Sequence, residues 1–174
     1  GISVLTDTKY FGGAIDDLMQ VRSIAGIPVL RKEFIIDAYQ IHESKAYGAD
    51  VVLLIAAILS PGQIADLSQL AKELKLEVLL EIHNEDELSK SDLSYVDLVG
   101  VNNRNLKTFT LDLETSRQLA KLIPDQKVKV SESGISETET IRVLKKYGYQ
   151  GFLMGENFMK TEKKKKTAAL FIKD

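Results

Sequence analysis

The chain has 174 residues, 44% of them apolar and 28% charged, with 11 glycines, 3 prolines and no cysteine. This is the composition of one globular domain, residues 1–174, able to bury roughly 70% of the surface its unfolded form exposes. Without cysteine, disulfide frameworks and cysteine-based zinc sites are excluded. The 23 basic and 25 acidic residues leave a net charge of −2, which argues against a nucleic-acid or membrane-surface partner. No apolar run approaches the roughly 18 residues that would span a bilayer. The chain begins without an initiator Met or a secretory leader, directly in a strand-like run. A segment in front of it is therefore expected to be missing.

Seven short apolar runs are predicted as strands: Ile2–Thr6, Val29–Arg31, Val51–Ile55, Val78–Ile82, Leu98–Val101, Val128–Ser131 and Gly151–Met154. Their starts recur about every 25 residues, the length of one strand and one helix with tight loops. Val51–Ile55 and Val78-Leu79-Leu80 are apolar throughout rather than alternating, as strands buried on both faces of a parallel sheet are. The segments between have helical spacing. After Pro61, residues Ile64, Leu67, Leu70, Ala71 and Leu74 fall three and four apart, with Ser60 placed to cap and Pro61 at the first helical position. Ser136-Glu137-Thr138-Glu139 reads as a capping box leading into Ile141, Val143 and Leu144. Gly48 and Gly148 stand where helices want a left-handed residue at their ends. The run Lys163–Lys166 reads as a solvated helix face.

Seven βα units in succession leave an open doubly wound sheet or a (β/α)8 barrel. Nearly every strand ends in polar residues or glycine: Thr6-Asp7, Arg31-Lys32-Glu33, Glu81, Asn102-Asn103-Arg104, Ser131-Glu132-Ser133-Gly134 and Gly155-Glu156-Asn157. A doubly wound sheet gathers its site at one switch point, whereas a barrel draws chemistry from many strand ends. The expected fold class is thus α/β, a (β/α)8 TIM barrel represented by seven of its eight strands.

The last two strand ends, with Ser133-Gly134 and Gly155-Glu156, match the loops where barrels often hold phosphate on bare amides. Tight turns alone would also explain the glycines. Lys32 should sit at the catalytic rim, where an ammonium among apolar groups such as Phe34 and Ile35 can serve as a general acid, though a solvated lysine fits the spacing equally. Glu81 ends a buried strand, a costly place for a carboxylate unless it is paired or functional. Asn102 can bond hydroxyls in either sense, and Arg104 suits a carboxylate. His42 and His83 have no metal-ligand spacing and read as capping or surface residues. Asp112 and Glu114 read as helix-start charge. No Walker loop, strand-linked G-x-G-x-x-G or G-x-S-x-G is present. The residues by themselves point to a phosphate-binding barrel enzyme with a Lys/Glu pair and no evident metal.

At these residues the sequence resembles the indole-3-glycerol phosphate synthase family of tryptophan biosynthesis. The resemblance runs through Ile2–Thr6 and Phe11-Gly12-Gly13, then Pro28-Val29-Leu30-Arg31-Lys32-Glu33-Phe34-Ile35-Ile36-Asp37 and Gly48-Ala49-Asp50. It continues through Glu81-Ile82-His83, Gly100-Val101-Asn102-Asn103-Arg104-Asn105-Leu106, Ser131-Glu132-Ser133-Gly134-Ile135 and Phe152-Leu153-Met154-Gly155-Glu156. It implies a decarboxylating lyase that converts 1-(2-carboxyphenylamino)-1-deoxyribulose 5-phosphate into indole-3-glycerol phosphate. By that resemblance Lys32 is the general acid, Glu81 a proton-transfer carboxylate and Asn102 the holder of the substrate hydroxyl and ring. Arg104 lies close by, Phe34 walls the aromatic pocket, and Ser133, Gly134, Gly155 and Glu156 grip phosphate, largely through backbone N–H groups. The resemblance also implies a cytoplasmic enzyme without cofactor, a monomer or weak homo-oligomer, alongside other tryptophan-pathway enzymes.

Two departures stand out. The middle of Lys32-Glu33-Phe34 is more often Asp in the family. The family's N-terminal helix, first strand and first helix, with a catalytic Glu-x-Lys-x-x-Ser-Pro-type motif, have no counterpart in these residues, which amount to about 70% of a ~250-residue barrel. The isolated chain is therefore expected to show little activity and to carry open strand edges. The alternatives are a catalytically impaired phosphate-binding barrel fragment or another phosphate-binding barrel enzyme. Among the latter, phosphoribosylanthranilate isomerase needs a cysteine and ribulose-phosphate epimerase needs His/Asp metal ligands that the sequence does not offer.

Overall fold

The computed structural model describes residues 1–160, 162, 167–169 and 171. Lys163–Lys166, read from sequence as a solvated face, lie outside the described residues. Strands and helices alternate: β1 (Ile2–Leu5), α1 (Ile15–Ile24), β2 (Val29–Lys32), α2 (Ala38–Ala46), β3 (Val51–Ile55), α3 (Pro61–Glu73), β4 (Glu77–Ile82) and α4 (Glu85–Ser89). They continue as β5 (Leu98–Asn102), α5 (Glu114–Leu119), β6 (Val128–Glu132), α6 (Thr138–Lys145), β7 (Tyr149–Leu153) and α7 (Glu156–Met159). All seven strands predicted from sequence are present. The chain forms two compact units, Gly1–Val99 and Gly100–Asp174.

In the first unit β1 to β4 lie parallel in chain order. Val29, Val52, Leu53, Leu54, Val78, Leu80 and Ile82 are buried, as the unbroken apolar runs require. Carboxylates at the starts of β3 and β5 repeat one device. Asp50 Oδ2 accepts the Val29 N–H at 2.8 Å and pairs with Arg22 at 2.7 Å, and Asp97 Oδ2 accepts the Val78 N–H at 2.8 Å while Lys72 Nζ donates to its Oδ1 at 2.8 Å. Each carboxylate thus satisfies a strand amide and ties a helix cation to the sheet.

Helix ends follow local chemistry. Ser60 caps α3 by accepting the Gln63 N–H, and Gln63 Oε1 accepts the Ser60 N–H in return, with Pro61 at the first position. Gly48 (φ +87°) and Gly148 (φ +89°) end α2 and α6 in the left-handed region as predicted, and Lys75 (φ +57°) follows α3 in the same region without being glycine. The capping box read at Ser136 does not form. Glu137 is the N-cap of α6 and makes no side-chain cap bond, so the pattern stands one residue too early.

In the second unit the order is β5-β6-β7, with β6 and β7 parallel. β7 begins two residues before the apolar run, at Tyr149, which pairs with Lys129 and buries its ring while its hydroxyl donates to the Ser116 carbonyl at 2.7 Å. Burial pushes the Tyr149 phenol up to about 12, although the Ser116 bond opposes this.

Candidate active site

β2 ends in Arg31-Lys32 and Glu33 follows it, these side chains falling on alternate faces. Arg31, 3% exposed, is structural. Its Nε donates to Thr6 Oγ1 at 3.2 Å, Nη1 to the Gln40 carbonyl and Ser44 Oγ at 3.1 Å each, and Nη2 to Glu43 Oε2 at 2.7 Å. Glu33 joins the same network by accepting from Thr6 Oγ1 at 2.7 Å. Lys32, on the opposite face, meets a different group. Its Nζ lies 3.5 Å from Glu81 Oε2 at the far end of β4.

Glu81 is buried, its side chain 3% exposed, and Lys32 is largely covered. Burying the carboxylate is tolerable because it is flanked by cations: Lys32 at Oε2 and His83 Nε2 3.3 Å from Oε1. The predicted Lys/Glu pair therefore exists in space. The apolar wall beside it is partly as expected. Phe11 stacks on Phe34 with ring centres 4.9 Å apart, Tyr10 meets the Phe34 edge at 5.5 Å, and Lys32 Nζ stands 5.8 Å from the Phe11 ring centre. Asp7 sets this shelf by accepting the Tyr10 and Phe11 N–H groups. Phe11, quoted in the sequence only as part of its motif, thus joins Phe34 in this wall.

His42 is exposed on α2, as read from sequence. His83 is not a surface residue: its side chain is 10% exposed and lies between Glu81 and Glu87. Burial works against its charge, but hydrogen bonding and proximity to both carboxylates prevail and carry its pKa from 6.5 to about 9. Burial likewise opposes the ionised Glu87, yet its bonds to His83 lower that carboxyl on balance.

In the second unit Asn102 Oδ1 accepts the Arg104 N–H at 3.0 Å. Arg104 Nη2 is held by Glu156 at 2.6 Å, and Lys160 takes the other Glu156 oxygen at 2.6 Å. The Lys160 bond and charge, then Arg104, hold the exposed Glu156 carboxyl below its usual range. Glu156 is therefore brought to Arg104 rather than left facing an anion, and only its backbone suits the phosphate role inferred from the resemblance.

Ser133 (φ +65°) and Gly134 (φ +74°) are consecutive left-handed residues, which turn the chain sharply after β6. Gly155 caps α7, and a Cβ added there would meet nothing within 4 Å. Asn103, mentioned in the sequence only as part of its motif, is the hub beneath the first loop. It is 2% exposed, and its Nδ2 donates to Ser131 Oγ, the Glu132 carbonyl and the Ser133 carbonyl at 3.0, 3.0 and 3.1 Å. Its Oδ1 accepts from the Ser116 amide and hydroxyl at 3.2 and 2.8 Å. Asp112 Oδ1 accepts the Glu114 N–H at 2.9 Å at the start of α5, the helix-start role expected for this pair.

A family model described as indole-3-glycerol phosphate synthase matches residues 1–170. Curated proteins of that description are similar. The one from Bacteroides thetaiotaomicron is 48% identical over 172 residues, 99% of this chain and 66% of its own length. The one from Delftia acidovorans is 44% identical over 161 residues, 92% and 60% respectively, and that from Bordetella pertussis 46% over 159 residues, 91% and 61%. The chain thus spans 60–66% of the length of these relatives. Among solved structures, KGPDC from Streptococcus mutans matches with a TM-score of 0.75 at 14% identity, covering 98% of this chain and 83% of that one. A mutant tryptophan synthase α-subunit from Pyrococcus furiosus matches with a TM-score of 0.72 at 17% identity, covering 92% and 72%. Identities this low speak to the fold alone, and with the consecutive parallel strands they identify seven βα units of a (β/α)8 barrel.

Proposed function

The chain belongs to the indole-3-glycerol phosphate synthase family, and from that premise we propose that the protein carrying it performs the synthase reaction. The substrate is 1-(2-carboxyphenylamino)-1-deoxyribulose 5-phosphate, and the products are indole-3-glycerol phosphate, carbon dioxide and water. The observation that carries this reading is the buried Lys32–Glu81 pair, 3.5 Å apart beside an aromatic shelf.

Ring closure joins an aromatic carbon to the ketose carbonyl carbon, and the carbonyl oxygen needs a proton as the bond forms. Lys32 supplies it as the ammonium that Glu81 keeps paired. Carbon dioxide then leaves, and its bonding electrons return to the ring. Glu81 takes a proton from the adjacent carbon and gives it to the new hydroxyl, which departs as water and leaves the closed indole. Phe34 and Phe11 cover the ring, and Asn102 holds the substrate hydroxyl with Arg104 nearby. Ser133, Gly134, Gly155 and Glu156 hold the phosphate through backbone amides. The tight turn at Ser133-Gly134 and the open space over Gly155 support that assignment.

Family membership also supports a cytoplasmic enzyme of tryptophan biosynthesis, a monomer or weak homo-oligomer working alongside other enzymes of the pathway. Among the described residues, no helix is long and apolar enough to cross a membrane. The test is to follow carbon dioxide and indole fluorescence together when the intact protein meets the substrate. One carbon dioxide per indole product is expected, with inorganic phosphate competing. Substrate that binds in competition with phosphate but gives neither product would replace this reading with that of a non-catalytic phosphate-binding barrel.

A further inference from the structure

Glu81 is held at both of its oxygens. Lys32 approaches Oε2 at 3.5 Å and His83 Nε2 approaches Oε1 at 3.3 Å, an ion-pair contact at each oxygen. The imidazole is itself clamped from the opposite edge. Its Nδ1 lies 3.1 Å from Glu87 Oε2, and that oxygen also accepts the His83 backbone N–H at 2.8 Å. Glu87 in turn is fixed by Asn84, whose Nδ2 donates to Oε1 at 2.9 Å and whose Oδ1 accepts the Glu87 N–H at 2.9 Å. Asn84 is the N-cap of α4 and Glu87 its third residue, so the first turn of the helix fixes the ring's orientation.

Opposed carboxylates on the two ring nitrogens favour the imidazolium, the only form with an N–H at each edge. From this geometry we propose that His83, oriented by Glu87, is a positioning residue for Glu81. It anchors Oε1 and so fixes the orientation of the carboxylate beside Lys32. The proposal rests on the reading of Glu81 as the proton-transfer carboxylate of the synthase reaction. Among the described residues, Glu81 from β4 and Glu87 from α4 face the ring, with Lys32 of β2 beyond Glu81. The raised pKa of His83 agrees with the arrangement.

Two measurements on the intact protein test it. Ring-nitrogen NMR follows His83, its signal assigned by its loss in His83→Gln. The imidazolium signal is expected to persist well above pH 7.5, and Glu87→Gln is expected to lower the midpoint by more than about one pH unit. In kinetics, His83→Gln and Glu87→Gln are each expected to lower kcat about 10- to 100-fold, with KM changed less than about twofold and the pH profile of kcat displaced. The double variant is expected to be no worse than His83→Gln, because Glu87 acts through the histidine. A ring titrating near its ordinary 6.5 would overturn the proposal. So would unchanged kcat in His83→Gln, or losses that multiply in the double variant. A merely structural role would lower stability without moving the pH profile. Absence of synthase activity in the intact protein would instead overturn the functional reading and leave the ring titration to decide the clamp.

Discussion

Single residues divide into those the sequence announces and those that only their neighbours explain. Lys32 and Glu81 are legible because a charged residue closing a buried strand needs a reason, and the pleat carries each to its face. Arg31 and Glu33 stand beside Lys32 yet serve a buried network behind the sheet, a distinction that requires the observed strand boundary. His83 was misread because its partners are recognisable only once α4 is known to begin after Asn84. The spacing Asn84-x-x-Glu87, a capping signature, was the available clue. Asn103 was passed over because its partners lie 13 to 30 residues away.

At this scale two outcomes are expected. Asn103→Ala removes three donated and two accepted bonds from a buried site, so it should cost about 2–4 kcal/mol in urea unfolding and raise KM more than it lowers kcat. A variant of unchanged stability and KM would contradict the role of Asn103 beneath the Ser133-Gly134 turn. His83 holds its proton in the folded protein to about 9 against 6.5 ordinarily. Its contribution to stability is therefore complete below pH 6.5 and is lost as pH rises through about 9. Unfolding free energy should fall between those limits by on the order of 2 kcal/mol once solvent screening is discounted, and His83→Gln should remove that decline.

Elements were the most legible level, since unbroken β-branched runs and three-and-four spacing answer to burial on one or both faces. The errors came where a boundary depends on tertiary partners: Tyr149 extends β7 because its ring and hydroxyl find places beneath α5, and Ser136 loses its cap because α6 starts at Thr138. Lys75 ends α3 as Gly48 ends α2, with Leu76 N–H bonding the Ala71 carbonyl at 2.8 Å as Ala49 N–H bonds that of Ser44 at 3.0 Å. Lys75→Gly should therefore stabilise the protein by about 0.5–1 kcal/mol, read as a rise in the thermal midpoint. Gly13→Ala should do the reverse, because its Cβ would lie 1.9 Å from the Leu5 carbonyl oxygen. Gly62→Ala, with nothing within 4 Å of the new Cβ, serves as the control and should be neutral or better.

For the molecule as a whole, consecutive parallel strands make a series of strand ends available for chemistry, and each unit carries its own share. The first holds the Lys32–Glu81 pair and its aromatic shelf, the second the Ser133-Gly134 turn and the Arg104–Glu156 pair. Barrel architecture was legible because polar residues close nearly every strand, which a single switch point does not require. The division into two units at Val99 was not legible, since the run Leu98–Val101 of β5 continues across it. The most direct measurement is the turnover of Lys32→Ala beside the unaltered intact protein, with circular dichroism to show that both are folded. The synthase account predicts that kcat falls at least about 100-fold in the folded variant. A folded Lys32→Ala protein that still makes indole-3-glycerol phosphate within about twofold of the unaltered rate would contradict it.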